Sequence, residues 1–367
     1  MQRTWMGAFA VAIGVLLCGS PAFAAQNVGN TSQKGSLLIF PLVIVEPGLD
    51  TIVRISNDAN TGVDVTCYYI NERKGRRDFH FRMTRKQPIW FSVRNHTGTF
   101  PVAQFPTDGT FNTGPATQGA LLCWATDVAL STQISHNHLS GNATVVLGEV
   151  FNEAAGQVAF TYPSWNFTAR NVAAGAAVGT PGRLDLTGVD GAYDACPSYL
   201  VGHFSPVGAE VATGSGAGSE FVGGNALAVL SCNQDLRQDF IPHFTKLKLE
   251  VWNEQEVKLT GAYECSDGSK TFELAEETDV GRENFTYQVL QSVAAQLKVK
   301  GVASTQCNPP VLPRPTENSG LVGVLGTFLF SRDTEDFALV GTTLNGAGAQ
   351  AGFILWDAQD AVVPELR

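Results

Sequence analysis

Apolar and polar residues alternate with a period of two over residues 51–56 (TIVRIS). They do so again through Val63, Val65, Cys67 and Tyr69. Such alternation places one set of side chains on each face of an extended strand. A cluster of turn formers at 57–62 separates the two runs, so residues 51–71 read as a β-hairpin. Far downstream the pattern returns. Leu247, Leu249 and Val251 alternate, Asn253 opens a turn, and Val257, Leu259, Gly261 and Tyr263 share the next face.

The same reading predicts strands at 36–45, 78–83, 88–93, 120–125, 132–139 and 142–147, with a Gly/Pro/Thr-rich loop over 97–119. Residues 36–45 (SLLIFPLVIV) are apolar almost throughout, which describes a buried first strand. In the second half strands are expected at 246–251, 257–263, 270–274, 322–330 and 351–356, and their order suggests a divergent internal repeat of the first half. Between the halves, 158–167 and 226–230 read as strands, and the Gly/Ala-rich stretches 172–180 and 209–224 read as long loops. Short strands punctuated by Gly, Pro and Asn predict an all-β fold: two tandem immunoglobulin-like β-sandwich domains with an elaborated, loop-rich middle segment. The expected divisions are a leader at 1–24, a first sandwich at 25–150, a middle segment at 151–244 and a second sandwich at 245–367. No named family is matched by specific residues.

Composition changes this picture mainly through export. Arg3, an apolar run from Met6 to Cys18 and the triplet Ala22-Phe23-Ala24 have the form of a signal peptide, with Ala25 as the first mature residue. The run is short for a bilayer span, and no later stretch has the length for one. In an oxidising compartment the six remaining cysteines, Cys67, Cys123, Cys196, Cys232, Cys265 and Cys307, are expected to form disulfides. Pairing neighbours (67–123, 196–232, 265–307) keeps each bridge within one segment. The net charge of −10 and the lack of a basic stripe argue against a nucleic-acid partner. The one basic run, residues 73–77 with Arg82, Arg85 and Lys86, is interleaved with Asp78 and reads as the solvated loop and outer face of a hairpin.

Candidate chemistry is sparse. His136 and His138, two apart on an expected strand, would point the same way and could grip one metal ion. Asp185, Asp190 and Asp194 lie in a Gly-bearing loop that could offer oxygen ligands to calcium, without the D-x-D-x-D-G spacing. Tyr162, Trp165 and Phe167 concentrate aromatic surface that could stack on a sugar or anchor a partner. No G-x-S-x-G occurs, and no cofactor is implied. The expectation is an exported, non-enzymatic binding or structural protein of the bacterial envelope or extracellular space, periplasmic or extracellular. Its partner would be a protein or a glycan at the cell surface. The alternatives are a carbohydrate-binding module or glycosidase-type protein, and a metal-binding periplasmic protein.

Overall fold

The computed structural model describes residues 28–108, 115–147, 158–208, 210–212, 220–232, 244–266, 268–275, 285–303, 307, 319–331 and 337–343. The leader at 1–24 and the strand expected at 351–356 lie outside them.

The regular structure of the described residues is almost entirely strand, with a single helical turn. The first part of the chain forms β1 (Leu37–Ile44), β2 (Leu49–Asn57), β3 (Val63–Asn71), β4 (Arg76–Met83), β5 (Pro88–Ser92), β6 (Gln118–Thr126), β7 (Gln133–Ile134) and β8 (Leu139–Leu147). The middle follows with β9 (Val158–Pro163), β10 (Trp165–Phe167), β11 (Ala177–Gly179), β12 (Leu200–Phe204), β13 (Glu210–Ala212) and β14 (Glu220–Ser231). The last part holds β15 (Thr245–Asn253), β16 (Lys258–Ser266), β17 (Ser269–Glu273), a single helical turn α1 (Tyr287–Leu290), β18 (Ala295–Val302), β19 (Leu321–Ser331) and β20 (Phe337–Thr343).

Among the described residues these strands make four antiparallel sheets. A seven-stranded sheet runs β10-β1-β6-β3-β4, with β7 beside β6 and β11 beside β7. The β2 sheet runs β5-β2-β8-β9, and the β15 sheet runs β12-β18-β15-β16. The β14 sheet runs β13-β14-β19-β20, with β17 also on β14. The middle segment therefore has strands in all four sheets: β9, β10 and β11 join sheets of the first half, and β12, β13 and β14 join sheets of the second.

β1 explains why the seven-stranded sheet is central. Its apolar run is buried on both faces. Leu38 and Phe40 face a core shared with Val53 and Ile55 of β2 and with Phe91 of β5. Leu37 and Ile39 belong to a second core that includes Leu227 and Val229 of β14, Leu249 of β15, Leu297 of β18 and Leu321 of β19. Pro41 sits where the β1–β6 register shifts, between Phe40 and Val43, and past the last β10 partner at Ile39. A bulge tolerates the missing N–H that a regular ladder would need. The open end of the first core is plugged by the loop after β5. There Phe100 stacks on Phe81 at 5.9 Å and Phe105 meets Tyr69 edge-on at 5.6 Å.

Three local expectations change. The 51–71 stretch forms both predicted strands, but they do not pair with each other. β2 pairs with β5 and β8, whereas β3 pairs with β4 and β6, so residues 58–62 carry the chain from one sheet to the other. Alternation marks which face is apolar; it does not say whether that face lies beside its neighbour or across the core from it. The Asn57 side chain fastens this arch, donating to Thr61 O and Thr84 O and accepting from the Ala59 N–H. Downstream, β15 and β16 do form a hairpin, with Asn253 Oδ1 accepting from the N–H groups of Gln255 and Val257 in the turn. The likeness between the two stretches thus stops at strand pairing. Similarly, the strand expected at 132–139 is only two residues long before the chain turns, and the 172–180 stretch read as loop contains β11, which pairs with β7.

The disulfides follow neighbour pairing: Cys67–Cys123, Cys196–Cys232 and Cys265–Cys307. Cys67 and Cys123 are direct cross-strand partners on β3 and β6, fully buried, with Cα atoms 4.1 Å apart. That bridge ties two strands of one sheet. In antibody domains the corresponding bridge joins two sheets.

Candidate functional site

His136 and His138 lie in the turn between β7 and β8, not on a strand, with the His138 N–H donating to His136 O at 2.6 Å. The rings are 5.3 Å apart and edge-on. Each already has a partner. His136 Nε2 is 2.9 Å from Asn57 Oδ1. Because both Asn57 amide hydrogens go to carbonyls, Oδ1 is an acceptor and the imidazole must donate through Nε2–H. Burial, with the His138 ring as a lesser cause, lowers the His136 pKa from 6.5 to about 4, so the ring is neutral near pH 7. His138 Nδ1 is 2.9 Å from Asp58 Oδ1, and the other oxygen of Asp58 pairs with Lys34. Among the described residues no group of three His, Cys, Asp or Glu is placed to hold a metal ion. Elemental analysis of purified protein tests the metal reading directly.

Asn137, between the two histidines, docks the turn onto the middle segment. Its amide donates to Ala169 O at 2.9 Å, and its Oδ1 accepts from the Ala169 N–H at 2.7 Å. A buried polar network continues from there. Asp194 Oδ2 accepts from the Thr168 N–H and hydroxyl and from Gln33 Nε2, at 2.6–2.8 Å. The three aspartates of the candidate calcium loop are not gathered. Asp185 accepts from Thr187, Asp190 accepts from Asn171 on the surface, and Asp194 is fully buried in its own network.

Tyr162, Trp165 and Phe167 are fully buried, so their rings form core and seam where a stacking surface was expected. The Tyr162 hydroxyl donates to Leu42 O, and the Trp165 indole N–H donates to Gly323 O at 3.0 Å, joining β10 to β19 across the two halves. Tyr162 lies on β9 in the first core, and Trp165 and Phe167 lie on β10 in the second, a division their spacing could not reveal.

Among the described residues, one aromatic side chain that does face outward is Trp90, 49% exposed on β5. It stands across from Arg54 on β2, and Arg54 in turn stands across from Asn142 on β8. Arg54 Nη1 donates to Thr144 Oγ1 at 2.9 Å, and Thr144 bonds Thr161 at 2.9 Å, so a row of polar side chains crosses the outer face of the β2 sheet beside the indole. The alternation of Pro88, Trp90 and Ser92 against Ile89 and Phe91 was the available signal for it. The basic run is only partly solvated: Lys74 is buried and Arg76 lies over the Tyr68 ring at 4.2 Å, while Arg82 on β4 pairs with Asp64 at 2.9 Å.

Known families do not place this chain. No protein-family model matches it, and no curated protein does either. Among the described residues no helix is long and apolar enough to cross a membrane.

Proposed function

We propose that the chain is an exported, non-enzymatic binding protein of the bacterial envelope or extracellular space, working in the periplasm or outside the cell. Export is supported by the three disulfides, which an oxidising compartment produces and maintains, together with the leader pattern at 1–24. The observation that carries the binding role is the outer face of the β2 sheet, where Trp90 stands half-exposed on a strand whose other face is held in the core. A rigid aromatic with hydrogen-bonding neighbours supplies contact area at low entropic cost.

On this reading two immunoglobulin-like sandwich units, 25–150 and 245–367, present rigid faces on a stapled frame, and 151–244 ties them together. The same Trp90 surface favours the carbohydrate-binding alternative, because Arg54 beside the indole suits the hydroxyls of a sugar ring. A glycan and cell-surface protein array probed with the mature protein and with Trp90→Ala tests the role. Binding that drops in the variant supports it. Catalytic turnover of a glycoside, or retention of the full-length protein in the cytoplasm, refutes it.

A further inference from the structure

The β15 sheet has an apolar face turned inward through Leu247, Leu249, Val251, Leu297 and Val299. Its other face is lysine-rich. Alternation turns Lys246, Lys248, Glu250 and Trp252 of β15 outward, beside Gln296, Lys298 and Lys300 of β18 and Lys258 of β16. Lys248 stands directly opposite Lys300, Glu250 opposite Lys298, and Trp252 between Gln296 and Lys258. Five of the nine lysines in a chain of net charge −10 thus gather on one face of one sheet. Among the described side chains of these rows the one carboxylate is Glu250, which pairs with Lys248 at 3.2 Å and Lys258 at 2.9 Å. Tyr199 and Trp252 flank the lysines, with Lys298 over the Tyr199 ring at 4.2 Å and Lys258 over the Trp252 ring at 5.2 Å.

Folding does not call for this arrangement. Like charges directly opposite on neighbouring strands destabilise a sheet, and any small polar residue would keep the outer face wet. Neighbouring strands lie about 5 Å apart and alternate residues about 7 Å apart along a strand. The ammonium groups therefore spread as a grid over this face, each a compact positive charge. A grid of this kind complements an extended polymer with regularly spaced negative groups. The charged side chains between the two rings suit a hydrated chain better than the acyl interior of a bilayer.

We propose that this face binds an anionic polysaccharide, a linear glycan bearing carboxylate or sulfate groups. The proposal rests on the reading of the chain as an exported binding protein and assigns that role a second face and a ligand class. Calorimetric titration of the mature protein with dextran sulfate and with polygalacturonate, against unsubstituted dextran, tests it. Both polyanions should bind, more weakly as salt rises, and the neutral polymer should not. Lys248→Ser with Lys300→Ser should weaken binding about tenfold or more, and Glu250→Gln should strengthen it. Arg77→Ser on β4 with Arg85→Ser in the turn before β5 should leave it unchanged.

Affinity that ignores the lysine pair overturns the proposal, as does the absence of polyanion binding. Tighter binding to phosphatidylglycerol vesicles or duplex DNA than to either polysaccharide overturns it too. If the lysine variant loses its strand circular dichroism, Glu250→Gln decides, and no gain there counts against the proposal. These outcomes leave the exported-binding reading standing, since it fails separately, through turnover or cytoplasmic retention.

Discussion

Trp165→Phe tests whether the two halves of the chain are held as one body. The indole is fully buried in the core that the seven-stranded sheet shares with β14, β15, β18 and β19, and its N–H reaches Gly323 O at 3.0 Å. Phenylalanine keeps most of the apolar area and removes the donor. The lost hydrogen bond costs about 1 kcal/mol net. The smaller ring leaves a gap that adds about 1 kcal/mol more. The expected loss is therefore about 2 kcal/mol, and Trp165→Ala should cost about 3–5 kcal/mol. Urea unfolding of the mature protein followed by far-ultraviolet circular dichroism reads both values. If the seam is as described, the transition stays single and its midpoint moves down in step. A Trp165→Phe midpoint within about 0.5 kcal/mol of the parent, the size of an ordinary surface substitution, would refute the placement of this ring at the seam.

Other consequences follow from the same contacts. The folded pKa of His136 is about 4 against 6.5 unfolded, so its contribution is fully present above pH 6.5 and is lost as pH falls toward 4. The loss amounts to up to about 3 kcal/mol. Stability measured across that range should show the step in the parent and not in His136→Gln; an unchanged step in the variant removes the assignment. Replacing Cys67 and Cys123 together by Ala opens a bridge across a sequence separation of 56, which the chain-entropy model values at about 4 kcal/mol. A much smaller fall in thermal stability, or peptide mapping that joins either cysteine elsewhere, would contradict the pairing. Gly98→Ala should be poorly tolerated. Its new methyl would meet Trp90 O at 2.2 Å and the Phe91 Cα at 2.5 Å, so a stable variant with unchanged Trp90 fluorescence would argue against the close packing of this loop on β5. Glu250 has its pKa lowered to about 2, first by the hydrogen bond from Lys258, so its contribution holds above pH 4.5 and fades as pH falls toward 2. Acid titration of Glu250→Gln should lack that component.

Much of the local structure was legible from alternation. Of the 36–45 stretch residues 37–44 are strand, as are 63–69, 78–83, 120–125 and 322–330, and the uninterrupted apolar run of β1 marked it as buried. Neighbouring cysteines paired as expected. β18 and β12 were missed, the first because LKVK is brief, the second because Gly202 interrupts its pattern.

Sequence by itself determined where the chain is extended and which side of each strand is apolar, because both are properties of residues one or two positions apart. Tertiary structure alone decided which strand lies beside which. That choice sent β2 and β3 to different sheets and turned the His136–His138 pair into a hydrogen-bonded corner. It also covered Tyr162, Trp165 and Phe167 and brought Lys248 opposite Lys300. Period-two alternation carries no record of such neighbours, since backbone hydrogen bonds between strands are the same whatever the side chains, and burial is settled by segments far apart in the chain.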